Sequence, residues 1–190
     1  FDGLVLGLPQ PEQRLFFGDT AAEALYAAAI SRAVALGARL VEVDLAPFLE
    51  TASLLYAGPW VAERAAAVGR FLAANPDALW PTTRSVILTA ERFNAVDAFE
   101  GSYRLAELAR ATAPVWEQID ALLLPTAPTI YRVAELEAEP ILLNSRLGTY
   151  TNFVNLLDLA ALALPGGFRP DGMPLGITLV APAEIGRAHV

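Results

Sequence analysis

The 190-residue chain contains no cysteine. That excludes a disulfide framework, a thiolate metal site and a thiol nucleophile, and it is compatible with a reducing, cytoplasmic setting. Lysine is missing as well: all 13 basic residues are arginine, from Arg14 to Arg187. The single histidine is His189, one residue from the end. A serine nucleophile that needs a histidine or lysine base must therefore find that base elsewhere. No uninterrupted apolar run reaches the roughly 20 residues of a membrane helix. Basic clusters are absent too. With 21 acidic residues the net charge is −8, and the arginines are scattered singly, which argues against nucleic acid or an anionic membrane as partner. With one histidine and no close set of carboxylates, neither a metal nor a cofactor is expected.

What is present is apolar: 55% of the residues are hydrophobic, enough for one substantial core of ordinary domain size. "LVLGLP" (Leu4 to Pro9) reads as a buried strand. "GDTAAEALYAAAISRAVALG" follows as a helix, with Thr20 and Glu23 spaced as a capping box and Gly37 as its stop. "ARLVEVDL" is a second strand, completing a βαβ unit that implies parallel pairing. From Phe48 to Leu72 the pattern is helical, interrupted at Gly58-Pro59, with Pro59 suited to the first turn of a new helix. One long helix is expected from about Thr83 to Ala113, its buried face formed by Val86, Ala90, Phe93, Val96, Phe99 and Tyr103. "ALLLPTAPT" (Ala121 to Thr129) reads as a buried strand, and Tyr131 to Asn144 as an irregular acidic connection. "TYTNFVNLLDL" is a short helix capped by Thr149 or Thr151. "ALALPGGFRPDGMPLGITLVAP" gives two strands around a turn. The class is α/β, with helices covering a mostly parallel or mixed sheet.

Few residues could carry chemistry. "PGGFRPDG" is glycine-rich but lacks the order of a phosphate-binding loop, and a turn between strands accounts for it. Glu135, Glu137 and Glu139 read as solvated charge. Tyr56 and Arg64 remain, eight positions apart across the Gly58-Pro59 break, where both can converge on the cleft that the break opens. An arginine near a helix start opposes the helix dipole. Arg64 therefore needs a carboxylate neighbour, with Glu63 and Glu12 as candidates, or an anionic ligand whose two oxygens match its planar fork. Spacing alone leaves both open.

"LLYAGPWVAER" (Leu54 to Arg64), with "FFGD" at Phe16 to Asp19, "LLLPTAPT" at Leu122 to Thr129 and "GTYTNFVNLLDLAALALPGGFRPDGMPLGITLVAPA" at Gly148 to Ala183, resembles the later part of the amidase domain of allophanate hydrolases, within the amidase signature family. The closing strand pattern is shared across amidases, whereas "LLYAGPWVAER" with "TYTNFVNLLDL" is much more specific to the allophanate enzymes. The resemblance implies a three-layer α/β/α fold with a mixed, mostly parallel sheet, here truncated at both ends, over residues 1–183. It implies hydrolysis of allophanate, the carboxylated urea, to ammonia and carbon dioxide in urea degradation. The family's Ser-cisSer-Lys triad would lie before Phe1, so no catalytic residue is expected here and the piece alone should be inactive. It further implies that Tyr56 and Arg64 contact the small anionic substrate, that the enzyme is a homodimer, and that it works with a urea carboxylase. A general amidase, an amidotransferase subunit acting on charged transfer RNA, and a non-catalytic anion-binding module are the other readings.

Both ends read as cut. "EIGRAHV" (Glu184 to Val190) changes character and can be back-translated to a sequencing adapter, so residues 184–190 are expected to be a non-native tail, leaving His189 without function.

Overall fold

A computed structural model describes residues 3–183; the expected tail at 184–190 lies outside the described residues. Five strands form one sheet: β1 (Val5–Pro9), β2 (Arg39–Val43), β3 (Ala121–Pro125), β4 (Leu159–Phe168) and β5 (Pro174–Pro182), in the order β2-β1-β3-β5-β4. β1 pairs in parallel with β2 and β3, whereas β5 runs antiparallel to β3 and β4. The sheet is thus mixed as expected: four strands share one direction, and the pairings among the described residues divide evenly.

Side chains alternate across a strand, so the continuous apolar runs of β1 and β3 require cover on both faces. Leu6, Leu8, Ala121 and Leu123 bury against Phe16 and against Ala22, Tyr26, Ala29 and Ala33 of α1 (Thr20–Ala35). Leu122 and Leu124 turn to the opposite face, into a second core with Val43, Phe48, Tyr150, Phe153 and Val180. Phe48 belongs to α2 (Ala46–Ala57) and Phe153 to α8 (Asn152–Leu156), which pack together over this face with the rings 5.2 Å apart. These two cores make the three layers.

α1 starts at the expected cap itself, so its N-cap lies one residue earlier. Asp19, not Thr20, accepts the Ala22 N–H at 3.0 Å, because its carboxylate is fixed by a neighbouring arginine and is the stronger acceptor. Gly37, at φ +96°, closes the helix as expected.

The break at Gly58-Pro59 is real: α2 ends at Ala57 and α3 (Trp60–Ala74) begins behind Pro59. A Cβ on Gly58 would stand 2.6 Å from the Leu54 carbonyl oxygen, so only glycine fits this corner.

The single helix expected from Thr83 to Ala113 is two. α4 (Pro81–Leu88) runs into a 3-10 turn, and α5 (Ala95–Thr112) restarts behind Asn94. Asn94 accepts the Val96 N–H at 2.7 Å while Asp97 accepts the Asn94 N–H at 2.7 Å. This reciprocal cap was written as Asn-x-x-Asp in a stretch that apolar spacing made look continuous. The restart also rotates the stripe outward: Val96, Phe99 and Tyr103 are exposed, not buried. α5 turns its small residue inward instead, where a Cβ on Gly101 would meet the Pro59 ring at 2.5 Å and Trp60 at 3.3 Å.

Residues Tyr131 to Asn144 are not irregular but enter two short helices, α6 (Val133–Ala138) and α7 (Pro140–Leu147), each started where Arg132-Glu135 bonding or Pro140 permits. Thr151 stands at the N-cap of α8 without a side-chain cap bond, and Thr149 donates backward to the Arg146 carbonyl.

Two substitutions test the helical layer by urea denaturation. Asn94→Ala should cost about 1 kcal/mol through the lost cap. Gly101→Val should cost about 1–3 kcal/mol by overpacking against a proline ring that cannot move aside, and an unchanged midpoint would contradict the close approach described here.

Candidate functional site

Gln10 to Asp19 form the loop that leaves the carboxyl end of β1, beside Asp44 at the end of β2 and Thr126 to Ile130 after β3. In α/β sheets this is the end where ligands bind. The loop is pinned from several sides. The Tyr150 hydroxyl accepts the Leu15 N–H at 2.6 Å and lies 3.1 Å from the Gln13 carbonyl oxygen, to which it can donate. Gln13 donates to Asp44 and accepts the Leu45 N–H. Burial pushes the Tyr150 phenol up to about 12, against the Leu15 hydrogen bond, so it stays a neutral hydroxyl.

At the end of the loop Asp19 collects three donors: the Ala22 N–H, the Thr129 hydroxyl at 2.9 Å and the Arg169 guanidinium. Arg169 sits in the β4–β5 turn and also reaches Asp171. Asp19 and Arg169 are 9% and 13% exposed, which makes this the most enclosed ion pair of the described residues. Burial raises the Asp19 carboxyl, but the Ala22, Arg169 and Thr129 hydrogen bonds outweigh it and hold the group below its ordinary value. The cluster was not foreseen from the sequence, since its partners lie 110 and 150 positions from Asp19.

Between these anchors Phe17 adopts φ +53° and Gly18 φ +86°. A bulky residue held in the left-handed region costs about 1–3 kcal/mol. Phe17 is 41% exposed, so its ring is only partly withdrawn from water. It carries the Arg146 guanidinium, whose central carbon lies 4.8 Å from the ring centroid. An exposed cation–π contact of this kind contributes about 0.5–1 kcal/mol.

Tyr56 and Arg64, singled out from the sequence, do meet. Tyr56 is in the last turn of α2 and Arg64 in the first turns of α3, with the guanidinium carbon 4.6 Å above the phenol ring. Neither expected carboxylate reaches it: among the described residues Arg64 forms no ion pair with Glu63, Glu12 or any other acid. The stack, again about 0.5–1 kcal/mol, is comparable to the dipole penalty of about 0.3–1 kcal/mol at a helix start. It holds the cation while leaving its N–H donors uncommitted. The cavity that the break opens, about 310 Å³, is lined instead by Pro59, Trp60, Ala62, Glu63, Ala98 and Ser102. Neither Tyr56, which is exposed, nor Arg64, which is half-buried, lines it, so the two meet each other and not in the cleft expected for them.

Contrast Arg104, which is tied to Glu50 and, at 2.8 Å, to Glu107. Its acid three residues on is visible in the sequence, as is the lack of any acid three or four positions from Arg64 or Arg146. Arg32 and Arg70 share that lack, which is why spacing alone could not separate a ligand-facing arginine from a solvated one. Four of the five serines, Ser31, Ser53, Ser85 and Ser102, donate to carbonyls three or four residues back, an ordinary helical bond.

A family model described as Amidase matches residues 2–184. The urea amidolyase of Lachancea kluyveri is 45% identical over 172 residues, covering 90% of this chain and 9% of that protein. The urea amidolyase of Saccharomyces cerevisiae is 42% identical over 172 residues, with the same coverage. A serine-to-alanine variant of Kluyveromyces lactis allophanate hydrolase superposes with a TM-score of 0.90 at 42% identity, covering 96% of this chain and 30% of that one. The chain therefore spans about a tenth of these curated relatives and under a third of that structure.

Because the folded Asp19 carboxyl titrates below 3.8, its contribution is present above the unfolded value and is lost as pH falls through the lower folded one. Asp19→Asn should be less stable than wild type at pH 7, and the gap should be smaller at a pH below 3.8, narrowing further as pH falls. Thermal unfolding at the two pH values checks this; an equal gap at both would reject it.

Proposed function

This chain belongs to the amidase family, and from that premise we propose that residues 1–183 are the later portion of an amidase domain that hydrolyses allophanate, with Tyr56 and Arg64 as its substrate-binding pair. The observation that carries the reading is Arg64 stacked on Tyr56 with no carboxylate partner among the described residues, in a chain up to 45% identical to urea amidolyases across 90% of its length.

The chemistry of the pair suits that substrate. Two N–H groups of the Arg64 fork donate in parallel to the carboxylate, and the phenol can donate to a urea oxygen or accept from its nitrogen. The reacting amide carbonyl is thereby oriented without strong engagement of the bond that breaks. Attack by a serine, relay through a second serine on a cis peptide and a lysine base are the family's arrangement, and this chain has no lysine. Those steps are assigned to residues before Phe1, and the portion described here positions the anion. Loss of ammonia leaves an acyl-enzyme, water resolves it, and the nitrogen-linked dicarboxylate loses carbon dioxide.

The similarity to urea amidolyases supports a working link to a urea carboxylase, and the whole enzyme is read as a cytoplasmic homodimer. Among the described residues no helix is long and apolar enough to cross a membrane. A general amidase or an amidotransferase subunit is not favoured, because the 42–45% identity to urea amidolyases extends over 90% of this chain.

Ammonia release by the whole enzyme decides the matter. Allophanate should be strongly preferred to acetamide. Arg64→Ala should lower kcat/KM for allophanate by about ten- to a hundredfold, the equivalent of one charge-assisted pair of about 1.5–3 kcal/mol, mostly through KM. Tyr56→Phe should have a smaller effect in the same direction, since the ring that carries Arg64 remains. Equal rates on both substrates, indifferent to Arg64→Ala, would reject the proposal.

A further inference from the structure

We propose that Phe17 and Arg146 form a second carboxylate-binding station, on the rim at the carboxyl ends of β1 and β3, that captures the anionic substrate. The inference rests on the allophanate reading for the identity of that substrate, but the geometry that suggests the station is its own.

Four observations converge. First, Phe17 is strained at φ +53° although Gly18, which tolerates such angles, is next to it. A chain selected only for the turn would place glycine at both positions. Second, the ring is not in the core: Phe16 buries against Tyr26 with centroids 5.8 Å apart, and Phe17 faces out. Third, the strain is sustained because both flanks are locked, by Tyr150 on Leu15 and by Thr129, Arg169 and the Ala22 N–H on Asp19. Strain that neighbours over-determine, at a large side chain that is left exposed, points to a function for that side chain.

The fourth observation is the cargo of that ring. The half-buried Arg146 guanidinium lies over Phe17 and, among the described residues, forms no ion pair and donates no side-chain hydrogen bond. Its place in the last turn of α7 suits a cation near a helix C-terminus, which accounts for the charge but not for a mount built from a strained phenylalanine. Tyr56 with Arg64 repeats the same device: an aromatic face fixes the guanidinium, and the planar donor fork is left for a ligand. The chemical class of ligand is a small carboxylate. In a chain of net charge −8, such stations also counter the repulsion an approaching anion would feel.

The test uses the whole enzyme and malonamate, the analogue of allophanate with a methylene in place of the central N–H, as a stable probe in calorimetry. Arg146→Met should weaken malonamate binding and raise KM for allophanate, each by about tenfold, with kcat within about twofold. Phe17→Gly is the discriminating variant. Glycine relieves the backbone but forfeits the partly buried ring, so Tm should change little while malonamate binding weakens and KM rises; a merely structural role predicts a lowered Tm with unchanged binding. Wild-type malonamate affinity in both variants overturns the station, even if Arg64→Ala still impairs hydrolysis. Failure of the wild-type enzyme to release ammonia from allophanate would reject the substrate reading instead, and the malonamate affinities of Arg146→Met and Phe17→Gly would still decide for or against the station.

Discussion

Gly101 has no side chain, and the space its Cβ would fill is taken by the Pro59 ring. That close approach governs the helical side of the molecule. It lets the corner between α2 and α3 seat against α5, and Glu50 with Arg104 ties the same two layers a short way off. With the corner fixed, Tyr56 at the end of one helix and Arg64 in the early turns of the next have only a short path between them. The stack follows from the backbone, not from an attraction strong enough to bend it, since an exposed cation–π contact amounts to only about 0.5–1 kcal/mol.

The arginines of this lysine-free chain divide by what holds them. Arg169 and Arg104 are neutralised by carboxylates and link elements distant in sequence. Arg64 and Arg146 are held by rings. A carboxylate partner engages the in-plane donors of a guanidinium, whereas an aromatic partner engages its face. The first arrangement completes a structure, and the second leaves the in-plane donors free for the anions proposed above.

Two phenols act as pins between layers. The Tyr26 hydroxyl donates from α1 to the Leu123 carbonyl of β3 at 2.7 Å, within the core, and Tyr150 holds the loop after β1. Burial raises the pKa of both, which keeps them neutral and able to donate. The strained turn at Phe17 depends on the second of these pins together with the Asp19 cluster, so the rigidity of the rim derives from residues that a ligand would not touch.

Much of this was legible along the chain. Apolar runs closed by proline marked β1 and β3, because a strand buried on both faces must be apolar throughout, whereas β2, with Arg39 and Glu42 exposed, and the β4–β5 pair were marked by the helix and the turn beside them. The Gly58-Pro59 break, the Gly37 stop and the convergence of Tyr56 with Arg64 were legible because each rests on local stereochemistry. The division of the long helix at Asn94 was also written locally, as a cap, but apolar spacing masked it. What the sequence could not decide was which partners meet. Whether Arg64 finds Glu63, Glu12 or a ring, which side of α5 faces inward, and that Asp19 joins Thr129 and Arg169 all depend on how the elements dock. Side-chain pairing across more than a hundred residues is a property of packing, and only the tertiary structure specifies it.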